Sequence, residues 1–318
     1  FFIQNEWFTS QLTGAGEALI IFGLSINAYK LSSILQFVAL LSIIIAILNL
    51  KHEKHYLNLN SKILICLAIL CIPSFLFLTF TAKPQLFPIG TNFIAFLMTF
   101  FILPFEKNNK KFITTFFIIC FLCLSATQFK FSFFLSSGIL LLFAYIELFK
   151  RNLLFKGFLI SLVLFLIIVF PREYFDYQYL SQDIVRNFLS PATDDYAAES
   201  FITSLKIGTG NPRYLPYWIF LPFNQFGFSL GVFTEIVGLS VLIFLVNFTF
   251  KPVEKIVYAS IIFFILAIFF GQPMGRFFIE PFLWLTVGSL FYLSLKNNLV
   301  LRICKKIITI NAIVIFTV

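Results

Sequence analysis

The segment from Leu31 to Leu50, LSSILQFVALLSIIIAILNL, is an almost unbroken apolar run that ends at the basic cluster KHEKHY of residues 51–56. An α-helix of this length is about 30 Å long, which matches the hydrocarbon core of a bilayer. The stretch therefore predicts a membrane-spanning helix with a basic loop at one end.

Similar apolar runs recur along the whole chain. Hydrophobic residues make up 60% of the 318 positions and charged residues 12%, more apolar surface than a soluble core uses. The predicted spans lie near residues 31–50, 63–80, 87–104, 112–127, 133–149, 157–171, 225–248, 256–271 and 277–295, and a further span begins near Ile307. The shorter stretch 16–26 predicts a helix in the outer membrane interface. The predicted fold is all-α: one polytopic transmembrane helical bundle over residues 1–318.

The loops between these runs alternate in charge. Of the 23 Lys and Arg residues, 15 lie in one alternating set of loops: Lys51, Lys54, Lys62, Lys107, Lys110, Lys111, Lys150, Arg151, Lys156, Lys251, Lys255, Lys296, Arg302, Lys305 and Lys306. Basic loops stay in the cytoplasm. The net charge of +9 is mostly this orientation signal and does not indicate nucleic-acid binding. We expect an integral protein of a bacterial inner (plasma) membrane with an extracytoplasmic active face.

One loop of the other set is long, from about Pro171 to Asn224, and it is rich in acidic residues. Apolar residues at helical spacing predict two amphipathic helices, and a glycine-rich strip from Gly208 to Tyr214 follows them. We predict an extracytoplasmic loop subdomain over residues 171–224, able to fold over a substrate. The chain opens without Met and stops within a span, so we expect a fragment that lacks an N-terminal span.

Candidate site residues are the polar side chains of the predicted outer face. Glu6 and Glu17 lie in the first outer stretch, where Glu17 suits either a helix N-terminus or a polar cavity. Arg276, with Gln272 in the same Gly- and Pro-containing turn, suits bidentate phosphate binding or a local ion pair with Glu280.

Further candidates lie on other outer segments. Lys83 and Gln85 share a proline-flanked turn that suits phosphate or sugar hydroxyls, although Lys83 also suits an interfacial anchor. Asn211 and Arg213 lie in the glycine-rich strip, and Glu235 is an intramembrane carboxylate that suits a cavity or a pair with Arg276. Apolar neighbours around Cys120 and Cys123 indicate ordinary packing, so no metal site is predicted.

The order of these features resembles the GT-C superfamily of polytopic membrane glycosyltransferases. The resemblance rests on the outer acidic stretch with the short helix GEALIIFGL of residues 16–24, the long outer loop, and the turn with Gln272-Pro273 and Arg276. It implies transfer of a sugar from a polyprenyl-phosphate donor to a glycan, lipid or protein acceptor. It further implies a carboxylate as general base, here Glu17 or Glu6, and cations on the donor phosphate, here Arg276 and Lys83.

The resemblance also implies a lid, to which Asn211 and Arg213 would belong. Some members carry an acid in the second outer turn, where this chain has Gln85, so the participation of a divalent cation stays open. Two other classes stay open as well. An O-antigen-type polymerase or ligase typically uses outer arginines and histidines, whereas His52 and His55 lie in a basic loop. A transporter or flippase would show internal repeats and ionisable residues at midplane.

Overall fold

The computed structural model describes residues 15–28, 30–50, 59–70, 85–130, 133–171, 251–270 and 279–296, together with single residues between 72 and 79, Tyr174, and five residues between 302 and 309. The described elements are all helical. They are α1 Ala15–Ser25, α2 Leu31–Asn49, α3 Leu59–Leu70, α4 Leu86–Leu97, α5 Asn109–Phe129, α6 Phe134–Phe149, α7 Leu154–Ile168, α8 Lys251–Phe270 and α9 Ile279–Lys296.

Three of these helices are long and apolar enough to cross a membrane. They are α2, with a mean hydropathy of 2.6 over its most apolar stretch, α4 with its continuation to Phe105, and α5, each of the latter at 2.0. Their 19 to 21 residues correspond to about 30 Å of helix. The chain is therefore a helical membrane protein, as the sequence predicts.

Predicted and observed helix boundaries differ by a few residues. The predicted spans 31–50, 87–104 and 133–149 agree within two residues with α2, with α4 and its continuation to Phe105, and with α6. By contrast, Lys62 and Lys255, which the sequence analysis assigns to loops, lie within α3 and α8. The long lysine side chain allows this, because its charge can reach the membrane surface from inside the first helical turn. The predicted span 225–248 and nearly all of the loop 171–224 lie outside the described residues.

Helix α4 lies at the centre of the described bundle. In its most apolar stretch 72% is buried, against 33% in α2. It packs against α2, α5, α6 and α9. Helices α4 and α2 approach each other closely at Gly90. A Cβ at this position would lie 3.4 Å from both the Cβ and the carbonyl oxygen of Ala39 in α2.

A π-helical turn, Met98–Ile102, continues α4 and leads into a 3-10 turn, Leu103–Phe105. Phe96, before the π turn, stacks on Trp284 of α9 at 5.7 Å between ring centroids, and Phe101 contacts Phe291 of the same helix at 4.4 Å. In a regular α-helix, residues five positions apart, such as Phe96 and Phe101, point about 140° apart. The π turn contains more residues per turn and so reduces this angle, which lets both rings face α9.

Helix ends meet at one end of the bundle. The carboxylate of Glu147 in α6 forms ion pairs with Lys150, at 2.9 Å, and with Lys255 in α8. Arg151 donates to the carbonyl of Glu106 and lies 4.1 Å from the ring centre of Phe112 in α5. These contacts bring the basic segments 106–112, 147–151 and 251–255 to the same end of the bundle, as expected if they share one membrane face. We call this the basic end.

Candidate functional site

Most of the sequence-predicted site residues lie outside the described part of the chain. These are Glu6, Lys83, Asn211, Arg213, Glu235, Gln272 and Arg276. The backbone of Glu17 lies in the first turn of α1, and its side chain is not among those described. The roles assigned to these residues therefore stay predictions.

Gln85 is described, and it lies at the start of α4 with 4% of its surface exposed. Its carbonyl accepts a hydrogen bond from Ile89 at 3.2 Å, which begins the helix. The backbone amide of Phe87, in the first turn of α4, donates to the side-chain oxygen of Gln36 in α2 at 3.0 Å. Gln85 thus belongs to a buried helix start rather than to an exposed turn.

A buried polar cluster joins α4, α6 and α9 at the end of the bundle opposite to the basic end. Its members are Asn92, Ser136, Ser137 and Glu280, whose exposed fractions are 0%, 0%, 2% and 5%. Ser136 and Ser137 lie in the first turn of α6, whereas Glu147 lies in its last turn, and this sets the two clusters at opposite ends. We call these four residues the Glu280 cluster.

The hydrogen bonds of the cluster run in one direction. The hydroxyl of Ser137 donates to Oδ1 of Asn92 at 3.0 Å, which leaves the amide nitrogen of Asn92 to donate. That nitrogen donates to Ser136 at 2.8 Å and to Oε1 of Glu280 at 3.1 Å. The hydroxyl of Ser136 in turn donates a hydrogen bond to the carbonyl of Phe133 at 3.0 Å. One branch of these hydrogen bonds therefore runs from Ser137 through Asn92 to the carboxyl of Glu280 and orients this carboxyl.

Aromatic rings close the cluster toward the interior of the bundle. One helical turn after Asn92 and Glu280 come Phe96 and Trp284, whose rings are nearly parallel, with 6° between their planes. Phe263 of α8 meets Trp284 edge-on at 6.0 Å. These rings block approach to Glu280 from the interior of the bundle.

The Glu280 cluster is not among the sites predicted from the sequence. The sequence predicts for Glu280 only a local pair with Arg276, whereas the described contacts of Glu280 are with another helix. A usable signal was present: Asn92 and Glu280 each interrupt an apolar run near the predicted outer end, and each is followed four residues later by an aromatic residue. Polar residues in membrane helices usually face one another.

The Glu280 cluster contains one carboxyl group, that of Glu280, which accepts a hydrogen bond from Asn92. Within the part of the chain that the structure describes, no three His, Cys, Asp or Glu side chains come together as a metal site would require. A carboxyl oriented by an amide donor can accept a proton from a hydroxyl group or hydrogen-bond a polar substrate.

A small, mostly apolar pocket lies near the same end, between α1, α2, α4 and α5. Its lining residues are Gly16, Leu19, Ile20, Ser32, Leu35, Gln36, Phe87 and Phe129. The rings of Phe87 and Phe129 are 4.3 Å apart and form one wall. Helix α1, which carries Glu17, and the start of α4 therefore line the same pocket.

Comparison with known proteins gives a family for the chain. No curated protein and no solved structure has significant similarity to it. The family profile of the DUF1420 N-terminal domain matches residues 2–318. Since the match covers nearly the whole sequence, the chain belongs to the DUF1420 N-terminal domain family.

Proposed function

We propose that the protein is a membrane glycosyltransferase of the GT-C type, and that Glu280 lies at its reaction site. In this proposal it transfers a sugar from a polyprenyl-phosphate donor to a glycan, lipid or protein acceptor at the extracytoplasmic face. The observation that carries the proposal is the buried carboxyl of Glu280, held by Asn92 at the end of the bundle opposite to the basic end.

Burial of a carboxyl group among membrane helices is costly, and such groups usually serve a function. Glu280 has the position that a general base needs, because Asn92 fixes its orientation and the aromatic layer excludes solvent from one side. It therefore joins Glu17 and Glu6 as a candidate for the group that activates the acceptor.

The proposed step is a displacement at the anomeric carbon of the sugar. The acceptor oxygen bonds to that carbon while the bond from the carbon to the donor phosphate oxygen breaks. The acceptor proton passes to the carboxylate of Glu280, and the bonding electrons leave with the phosphate. Cations that bind the phosphate stabilise the charge it gains.

The cations in this proposal are Arg276 and Lys83. Arg276 precedes Glu280 by four residues in the sequence, which keeps the two within about 15 Å along the chain. Gln272 would bind sugar hydroxyls, Asn211 and Arg213 would belong to the lid, and Glu235 would line the site. A divalent cation stays open as a further component.

The same observation favours one other function, a non-enzymatic transporter or flippase. A carboxyl group buried within a helical bundle is also typical of proton and ion relays. A second carboxylate, Glu147 of α6, lies at the basic end, where it pairs with Lys255 of α8. Transport would require a route between these two ends, through the rings that now fill the space between them.

The test is donor turnover by the purified full chain in lipid nanodiscs. A panel of polyprenyl-phosphate sugars and acceptors is supplied, and release of polyprenyl phosphate is measured. We expect Glu280→Gln to reduce turnover at least about 100-fold, the size typical of a lost general base. Arg276→Ala should abolish turnover while leaving expression intact.

Glu254→Gln is the matched control, because it makes the same chemical change in a carboxyl at the basic end that contacts only its helix neighbour Tyr258 among the described residues. It should keep full activity. Normal turnover by Glu280→Gln removes Glu280 from the site, and normal turnover by Arg276→Ala removes the phosphate assignment. Proteoliposome ion flux that depends on Glu280, without donor turnover, would replace the proposal with transport.

A further inference from the structure

Four exposed lysines surround the N-terminal ends of α5 and α7, at the basic end of the bundle. They are Lys107, Lys110, Lys111 and Lys156, which we call the α5–α7 basic surface. Among the described residues, none of these four ammonium groups has a hydrogen-bond or ion-pair partner. By contrast, Lys150 and Lys255 pair with Glu147, and Arg151 is held by Glu106. Among the residues that the structure describes, the basic end thus contains cations that join helices and these four lysines, which do not.

The four lysines are held close to one another by packing. Helices α5 and α7 pack side by side, and both begin at this end. Arg151, between them in the sequence, lies over Phe112 of α5 at 4.1 Å and so joins the α6–α7 corner to the start of α5. The N-terminal ends of two parallel helices also add positive potential to this surface. At the start of α5, Asn108 caps the backbone amides of Lys110 and Lys111 at 2.8 and 3.4 Å.

The corner between α6 and α7 has a defined backbone conformation. Asn152 adopts a left-handed conformation with φ of 56°, and the amide of Leu153 donates back to the carbonyl of Leu148 at 3.1 Å. Such an αL helix end satisfies carbonyls that would otherwise be unpaired. The basic surface is therefore carried by a structured turn that holds its residues in place.

Two exposed aromatic rings flank this corner. Phe155 and Phe149 are the most exposed large apolar residues of the described chain, at 74% and 67%. Each is followed directly by a lysine, Lys156 and Lys150. An aromatic ring beside a cation suits the bilayer interface, where the ring contacts acyl chains and the ammonium group reaches the phosphates.

We propose that the α5–α7 basic surface binds the headgroups of acidic phospholipids. Helix α5 is one of the span-length helices, so its first turn, with Lys110 and Lys111, lies at headgroup level in a bilayer. Free lysines there attract anionic headgroups electrostatically. Phe149 and Phe155 favour lipid over a soluble acidic polymer, since only lipid would also remove both rings from water.

The test compares lipid retention by the full chain and two variants with equal loss of charge. The first variant combines Lys110→Gln, Lys111→Gln and Lys156→Gln. The second combines Arg302→Gln, Lys305→Gln and Lys306→Gln, which are also exposed but belong to another segment. Each protein is prepared in nanodiscs of phosphatidylcholine mixed with phosphatidylglycerol, and native mass spectrometry measures how much of each lipid stays bound.

We expect the wild type and the second variant to retain phosphatidylglycerol preferentially. The first variant should lose at least about tenfold of this preference, because each lysine near an anionic surface contributes several-fold to binding. Its thermal midpoint in phosphatidylcholine alone should equal that of the wild type, since the three residues are exposed. If that midpoint falls, the corresponding Lys→Arg variant, which keeps the charge, must restore both the midpoint and the lipid preference.

Three results would overturn the assignment. Equal losses in both variants would show an effect of net charge alone, and unchanged retention in the first variant would show that the surface does not bind lipid. Full displacement of phosphatidylglycerol by inorganic phosphate at constant ionic strength would show a site for the free anion. None of these readouts depends on sugar transfer, so the result is separate from that of the proposed function.

Discussion

The side-chain amide of Asn92 makes three hydrogen bonds that connect α4 to α6 and α9. At the scale of single residues, such a group is decisive, because a buried donor or acceptor without a partner costs about 1–3 kcal/mol. Asn92 satisfies the hydroxyl of Ser137 and one oxygen of Glu280 at once. Its replacement leaves both groups unsatisfied, so its effect on stability should exceed that of a surface asparagine.

We predict that Asn92→Leu lowers the free energy of unfolding by about 1–3 kcal/mol, although leucine has nearly the same size. Adding Glu280→Met should recover part of this loss, because an apolar pair needs no hydrogen bond. Thermal unfolding of the single and double variants in identical nanodiscs measures this coupling. Strictly additive losses would mean that Asn92 and Glu280 do not interact in the protein.

At the scale of helices, two kinds of contact hold α4 and α6 to their neighbours. One is close backbone approach, at Gly90 against Ala39 of α2. The other is charge pairing, at Glu147 with Lys255 of α8. Small residues and polar pairs carry such packing in membranes, because lipid offers helices no hydrophobic drive to associate.

Gly90→Leu should push α2 away from α4 and lower the free energy of unfolding by about 1–3 kcal/mol, as overpacking usually does. Gly138→Leu is the control, because a Cβ at the exposed Gly138 has no neighbouring atom within 4 Å. The thermal midpoints of both variants, measured side by side, test the contact. Similar midpoints would contradict a close approach at Gly90.

The ion pairs of Glu147 differ in exposure, and this predicts unequal effects. The side chain of Lys255 is 25% exposed and joins two helices, whereas that of Lys150 is 52% exposed and lies one turn away on the same helix. Lys255→Met should cost about 1–3 kcal/mol, and Lys150→Met about 0–1 kcal/mol. Chemical unfolding of the two variants gives the comparison, and a larger effect at Lys150 would contradict the role of Lys255.

At the scale of the whole molecule, the two polar clusters give the described bundle two chemically different ends. The basic end contains Glu106, Glu147, Arg151 and Lys255, and the other contains the Glu280 cluster. The excess of Lys and Arg predicts that the basic end faces the cytoplasm. The structure defines which segments share an end, and labelling can define which face of the membrane each end meets.

In a background without native cysteines, Lys110→Cys should react with a membrane-impermeant maleimide only in inside-out vesicles. Lys130→Cys, at the opposite end of the same helix α5, should react only in right-side-out vesicles or cells. Mass-tag shifts on gels measure both reactions. The reverse pattern would place the Glu280 cluster in the cytoplasm and remove the support for an extracytoplasmic transferase.

Much of the fold could be predicted because long apolar runs carry a strong signal. The run 31–50 contains no charged residue, and α2 follows it closely. The candidate site could not be predicted in the same way. Asn92 and Ser136 lie in short polar interruptions of two different apolar runs, and only the packing of α4 against α6 brings them within 2.8 Å. Contacts between residues 188 positions apart, such as Asn92 and Glu280, have no local pattern in one sequence.

The π turn Met98–Ile102 makes α4 sensitive to residue count as well as to residue type. Removal of any one amino acid from this turn would let the helix close into regular α geometry at almost unchanged length. After a deletion before Phe101, this residue would follow Phe96 by four positions and lie about 40° from it around a regular α-helix. Phe101 could then still face Phe291, and the chain leading to Glu106 could still reach Arg151. A loss of one codon in this turn should thus be tolerated better than a loss between Asn92 and Phe96, which would turn the segment beyond it by about 100°.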